Sequence, residues 1–181
     1  MAKISTYSTV TPADGDLVLI SDVNDSNNTK NVTVSALRAA LSAYTEAYSL
    51  GGTETTILLA GDWYPLNVTA ILGATNDNSL LLNVNGEVSN QGASRTFFVS
   101  YAVAGIAQNN NNLMFRLHKN GNAILYSESD TICGNGNKST STGNFAIITL
   151  NTGDVVRLYC SNATSATNIT LEHLNLVLRQ I

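Results

Sequence analysis

The sequence predicts a mostly β protein, an antiparallel sandwich or jelly roll preceded by a small hairpin-plus-helix segment. Three observations carry this. Short apolar runs, alternating or rich in β-branched residues, recur at near-regular spacing from Thr56 onward. Asn85-Gly86 and Asn120-Gly121 are hairpin-turn dipeptides, because a two-residue turn needs positive φ at both centres. Beyond the first quarter no stretch keeps a helical period, and only two prolines interrupt the chain.

The elements follow in order. "DLVLI" (16–20) is a compact apolar run and "KNVTV" (30–34) alternates as a half-buried strand should. Between them, Asp22, Asn24, Asp25, Asn27 and Asn28 supply side chains that bond their own backbone, so the segment reads as a hairpin. A calcium loop would start well, with Asp22, Asn24 and Ser26 as ligands. It then lacks the glycine and the bidentate glutamate, whose places hold Asn27 and Thr33. Ser35 is placed to N-cap a short helix, "ALRAALSAY", with Leu37, Leu41 and Tyr44 along one side. A hairpin plus one helix is too small to hold a core of its own, so it needs a partner. Residues 1–46 are thus expected to be an attachment segment, with Leu17, Leu19, Val32, Val34, Leu37 and Leu41 as its apolar contacts. Residues 47–54, which lose periodicity around Gly51-Gly52, read as a linker. The head then spans 55–181.

Within the head, "RTFFVSYAVAGIA" and "NITLEHLNLVLRQI" are apolar on both faces. Strict alternation sets Leu174, Leu176 and Leu178 against Ile169, Leu171, Val177 and Ile181, and sets Phe97 and Tyr101 against Phe98 and Ala102. A two-sheet sandwich buries one face of each strand, so the second face is expected at a subunit interface. The expected interface residues are Phe97, Tyr101, Ile169, Leu171, His173, Val177, Arg179 and Ile181.

Composition narrows the function classes. Charged residues are only 12% of the chain, about half the usual share, so Asn, Thr and Ser must build the polar surface. A net charge of −4 with no basic cluster excludes a nucleic-acid partner. No apolar stretch suits a signal peptide or a membrane span, so neither is expected. The seven Asn-x-Ser/Thr triplets, which begin at Asn24, Asn27, Asn31, Asn67, Asn137, Asn162 and Asn168, are then accounted for by Asn- and Thr-rich composition. Cys133 and Cys160 lie in no paired motif and are expected reduced and interior. With His118 and His173 they show no zinc spacing, and no cofactor or metal is expected. Neither histidine sits in a catalytic constellation, and no enzyme activity is expected; His118, beside the "HKNG" turn, is expected to be solvated.

"FRLHKNGNAILYS", "FAIITLNTGDVVRLYCSN" and the long final strand resemble the second half of the jelly roll shared by tumour-necrosis-factor-like and complement-type globular heads. Trp63-Tyr64 and "SRTFFVSYAV" resemble bacteriophage virion proteins built on that head, and "ADGDLVLISDVNDSNNTKNVTVSALRAAL" is similar to N-terminal segments of phage fibre and head proteins. The resemblance spans about Thr53 to Ile181. It implies a homotrimer, with one sheet of each protomer packed about a threefold axis. It also implies a structural role in the virion, as a head fibre or capsid decoration bound to other virion proteins and assembled on the particle surface after synthesis in the host cytoplasm. The alternative is the receptor-binding tip of a tail fibre, with loops 109–112 and 135–142 recognising host surface glycan. Those loops carry no aromatic residue to stack on a sugar.

Overall fold

The computed structural model describes residues 13, 15–22, 28–34, 36–37, 43–76, 79–136 and 138–181. The chain divides into two compact units, Met1–Ser42 and Ala43–Ile181.

In the first unit, β1 (Leu17–Asp22) and β2 (Asn28–Thr33) pair antiparallel, with Leu17 opposite Thr33 and Asp22 opposite Asn28. Facing residues share a side of such a ribbon. Leu17 and Leu19 therefore stand with Thr33 and Asn31, while Val18 stands with Val32 on the other side. Leu17 and Leu19 are 62% and 71% exposed, Val32 and Val34 are half-buried, and Leu37 is exposed. The Asx-rich turn at 23–27, Ser35 and Leu41 lie outside the described residues. The helix expected over 36–44 cannot include Tyr44, which opens the first strand of the second unit.

The second unit is an antiparallel sandwich. One sheet contains β3 (Tyr44–Ser49), β4 (Glu54–Thr55), β6 (Ile71–Thr75), β9 (Arg95–Ile106), β13 (Thr140–Leu150) and β15 (Ile169–Gln180), in the order β13-β9-β15-β3-β6 with β4 also on β15. The other contains β5 (Tyr64–Pro65), β7 (Leu80–Leu82), β8 (Val88–Asn90), β10 (Asn112–Lys119), β11 (Asn122–Ala123), β12 (Ser129–Ile132) and β14 (Val155–Asn162). Its order is β11-β10-β14-β8-β7, with β12 on β10 and β5 on β14.

The core lies between the sheets. Phe97, Val99, Tyr101 and Val103 of β9 meet Leu113, Phe115 and Leu117 of β10 and Val156, Leu158 and Cys160 of β14, all buried. Each such aliphatic or aromatic side chain contributes about 1.5–3 kcal/mol through burial. Tyr101 also ties the sheets together: its hydroxyl lies 2.9 Å from Phe115 O, 2.7 Å from Ser127 O and 2.8 Å from Ser129 Oγ. Burial pushes its phenol up to about 12. Cys133 and Cys160 are free thiols inside this core.

Three expectations need correction. Residues 47–54 are no linker: β3 runs to Ser49 and pairs with β15, and β4 follows on the same partner. The Gly pair between them turns the backbone at positive φ, +88° and +84°. A side chain at Gly51 would meet the carbonyl oxygen of Glu172 at 2.1 Å, so the glycine permits a contact that no other residue allows. The hairpin turns also differ. Asn120 and Gly121 both have positive φ, 51° and 78°, and close the tight β10–β11 turn as their types demand. Asn85 does not, and the β7–β8 loop spans residues 83–87 because Asn83 Oδ1 accepts the amides of Asn85 and Glu87.

The third correction concerns which face turns inward. In β15, a bulge between Leu171 and His173 inserts one extra residue, which resets the alternation. Ile169 and Leu171 therefore join Leu174, Leu176 and Leu178 in the core. In β9 it is the Phe97 and Tyr101 face that is buried. Phe97, Tyr101, Ile169 and Leu171 are core residues and cannot form a subunit interface.

Candidate interface on the outer face of the β9 sheet

Because β9, β13, β15 and β3 alternate, the residues between their core positions form one continuous outer surface. β9 contributes Phe98, Ser100, Ala102 and Ala104, and β15 contributes His173, Asn175, Val177 and Arg179. Of the expected interface residues, His173 and Arg179 lie exposed on this face and Val177 lies on it half-buried. Ile181 is 65% exposed just beyond the strand.

The face is apolar where a solvated sheet would be polar. Phe145 of β13 stacks on Phe98 of β9, ring centroids 5.1 Å apart, yet remains 53% exposed, as does Ile147. Next to this pair is an open groove of about 580 Å³, lined among others by Tyr48, Leu50, Ala102, Ala104, Gly143 and His173. Small residues make its floor. Gly143 has no alternative, since a Cβ there would lie 2.5 Å from Tyr101 O. At the rim, Glu46 accepts a hydrogen bond from Asn175 Nδ2 at 2.6 Å, which ties β3 to β15 across the surface.

A second apolar patch lies at the free edge of β13. Leu125 and Tyr126 are 70% and 66% exposed. The Tyr126 hydroxyl donates to Ile147 O at 3.2 Å and Lys119 Nζ to Thr149 O at 2.7 Å, so side chains occupy part of the edge a foreign strand would need. Both patches are apolar, but one is a groove and the other a strand edge.

Sequence patterning missed Phe98, Phe145, Ile147 and Tyr48 as members of this face. Alternation separates two faces without saying which one is covered. Tyr48 was hidden in what read as a linker. The loops considered for glycan also look different in place. Asn111 is buried, and its Oδ1 accepts from Asn162 Nδ2 and Ser165 Oγ, both at 2.7 Å. Among the described residues no three His, Cys, Asp or Glu side chains converge to hold a metal ion, and no helix is long and apolar enough to cross a membrane.

No family model and no curated protein matches the sequence. Solved structures do match. Eiger TNF from S. frugiperda superposes at a TM-score of 0.53 with 14% identity, over 78% of this chain and 92% of that one. Murine APRIL at pH 5.0 gives 0.54 with 10% identity, over 76% and 99%. The fold is a TNF-like jelly roll. The globular domain of zebrafish complement 1qA protein gives 0.50 with 10% identity, over 77% of this chain and 96% of that one, so the jelly roll is of the kind shared by both groups. In it the apolar outer face belongs to the sheet built on β9 and β15.

Proposed function

We propose that the chain is a structural virion protein, a homotrimeric head fibre or capsid decoration without catalytic activity. Its first unit anchors to other virion proteins and its jelly roll stands away from the particle. The observation that carries the trimer is the pair of unlike apolar patches on one protomer, the groove beside Ala102 and the edge beside Tyr126. A patch that pairs with a different patch makes a head-to-tail contact, and such contacts form a ring where the rotation closes. The ring size comes from the resemblance to tumour-necrosis-factor-like and complement-type heads, and the virion setting from the resemblance of the head and of residues 13–41 to phage proteins. The anchoring role is supported by the first unit itself, whose two-stranded hairpin leaves Leu17 and Leu19 in solvent. An isolated hairpin of this kind is marginal until something covers it.

Light scattering of the full chain at micromolar concentration is expected to give three times the protomer mass. A clean monomer would sink the trimer. For the virion role, particles lacking the native protein are expected to take up the purified chain, and failure to bind them would remove it.

A further inference from the structure

The outer face of the second sheet carries a cluster of aromatic and basic side chains. Arg116 and His118 of β10 and Tyr159 of β14 stand on its outer face, with Trp63 against them from the segment before β5. The Arg116 guanidinium lies 3.8 Å from the centre of the Trp63 ring. Its Nε–H donates to His118 Nε2 at 2.9 Å. The imidazole lies flat on Tyr159, centroids 3.7 Å apart and planes within 7°. Its other nitrogen, Nδ1, is 2.8 Å from the carbonyl of Gly121 in the tight turn. His118 is only 5% exposed, so the expectation of a solvated histidine fails.

This geometry fixes the charge state. Nε2 accepts from Arg116, so Nδ1 must carry the single proton and donate to Gly121. A second proton would take away the lone pair that Arg116 uses and set an imidazolium against a guanidinium at contact distance. The surrounding charges do not offset this. Arg157 faces His118 across the β10–β14 ladder. The nearby carboxylates are engaged by arginines, Glu128 by Arg116 at 3.5 Å and Glu87 by Arg157 at 3.1 Å. Lys119 is held by Asp154 at 2.7 Å. Tyr159 presents a ring face, which favours a cation and offsets part of that cost.

We propose that Arg116, His118 and Tyr159 form an acid-released latch that keeps the Trp63 ring covered at neutral pH and uncovers it when His118 takes a proton. Release breaks the Arg116–His118 bond, so the guanidinium is free to leave Trp63. The Nδ1–H bond to Gly121 O survives protonation, since both ring nitrogens of an imidazolium donate, so the β10–β11 turn stays held. The latch therefore frees the segment before β5 from an anchor, the β10–β11 turn, that stays in place. Burial lowers the imidazole's pKa most; the Gly121 carbonyl opposes it and the Arg116 charge adds to it, and the net is below the ordinary value, which places release on the acid side of neutrality.

Trp63 is the only tryptophan, so its fluorescence reports on the latch directly. The test is acrylamide quenching of the full chain between about pH 8 and pH 5, run beside an NMR titration of the histidine ring protons; the His118 midpoint is expected below the ordinary value of about 6.5. Quenching should rise with the His118 midpoint. His118→Gln, which can still accept from Arg116 but cannot titrate, should leave Trp63 shielded throughout, and His173→Gln should behave as the parent. If His118→Gln does not fold, Arg116→Gln decides instead: Trp63 should be open at every pH and the His118 midpoint should move upward. Quenching that stays flat while His118 titrates, or that still depends on pH in His118→Gln, overturns the latch.

Discussion

Asn162 is fully buried at the end of β14 and fastens the loop that follows it. Its Nδ2 donates to Asn111 Oδ1 at 2.7 Å and Thr167 O at 3.0 Å, and its Oδ1 accepts from the amides of Thr164 and Ser165. Asn90 does the same for the turn after β8, donating to Ala93 O and Leu150 O while accepting from Gly92 N and Arg95 Nη2. In a chain with few charges, amide side chains take over the work of tying loops to the sandwich. Asn162→Ala should therefore cost about 1–3 kcal/mol, the toll for stranding a buried polar group, read by denaturant unfolding. Asp154 works at the surface in a similar way. Lys119, then Asn120, then the Asn151 amide hold its carboxyl down at about 2. The folded state thus favours the ionised form. Its contribution to stability is complete above the ordinary aspartate value of 3.8 and disappears as pH falls toward about 2. Melting temperatures of Asp154→Asn should lack that limb of the acid profile.

At the level of the strand, the bulge between Leu171 and His173 decides what β15 does. Before it Ile169 and Leu171 point into the core, and after it Leu174, Leu176 and Leu178 do, so His173, Val177 and Arg179 are left outside. The two faces of the strand therefore answer differently to the same change. Leu171→Asp should unfold the jelly roll, because its carboxylate would be buried without a partner. Val177→Asp should leave a folded head that scatters light as a monomer. Circular dichroism and light scattering on the two variants together check this. The alternation of β9 and of β15 beyond His173, the turn at Asn120-Gly121 and the hairpin of β1 and β2 could all be read from residue order, since each rests on neighbours along the chain. The inward face of β9, the bulge and the strand character of residues 44–49 could not. They depend on what lies across the sheet: Glu172 beside Gly51, and Ser49 paired with Leu174. The outer face was legible only in part for the same reason. Val177 and His173 came from the pattern, whereas Phe145 and Tyr48 needed the fold to bring them in.

For the molecule as a whole, the boundary between Ser42 and Ala43 separates a unit whose hairpin leaves Leu17 and Leu19 exposed from one with its own core. A chain starting at Ala43 should melt cooperatively and keep the parent's oligomeric state, while losing attachment to particles; calorimetry, light scattering and a particle pull-down measure each in turn. One more feature bears on how such a head could be used. Gln180 N donates to Ala43 O at 2.8 Å and Ile181 N to Thr96 O at 3.1 Å, so Ala43, where the jelly roll begins, and Ile181, just past its last strand, are side by side. The exposed turn at 108–110 and the loop at 163–167 sit at the other end of β9 and β15, about 35 Å away at the usual rise of a strand. The head has a wired end and a bare end. A peptide spliced into residues 108–110 would be carried at the bare end, away from Ala43, whereas one placed just after Ile181 would crowd the entry point. As a display scaffold, the jelly roll should be loaded through its loops.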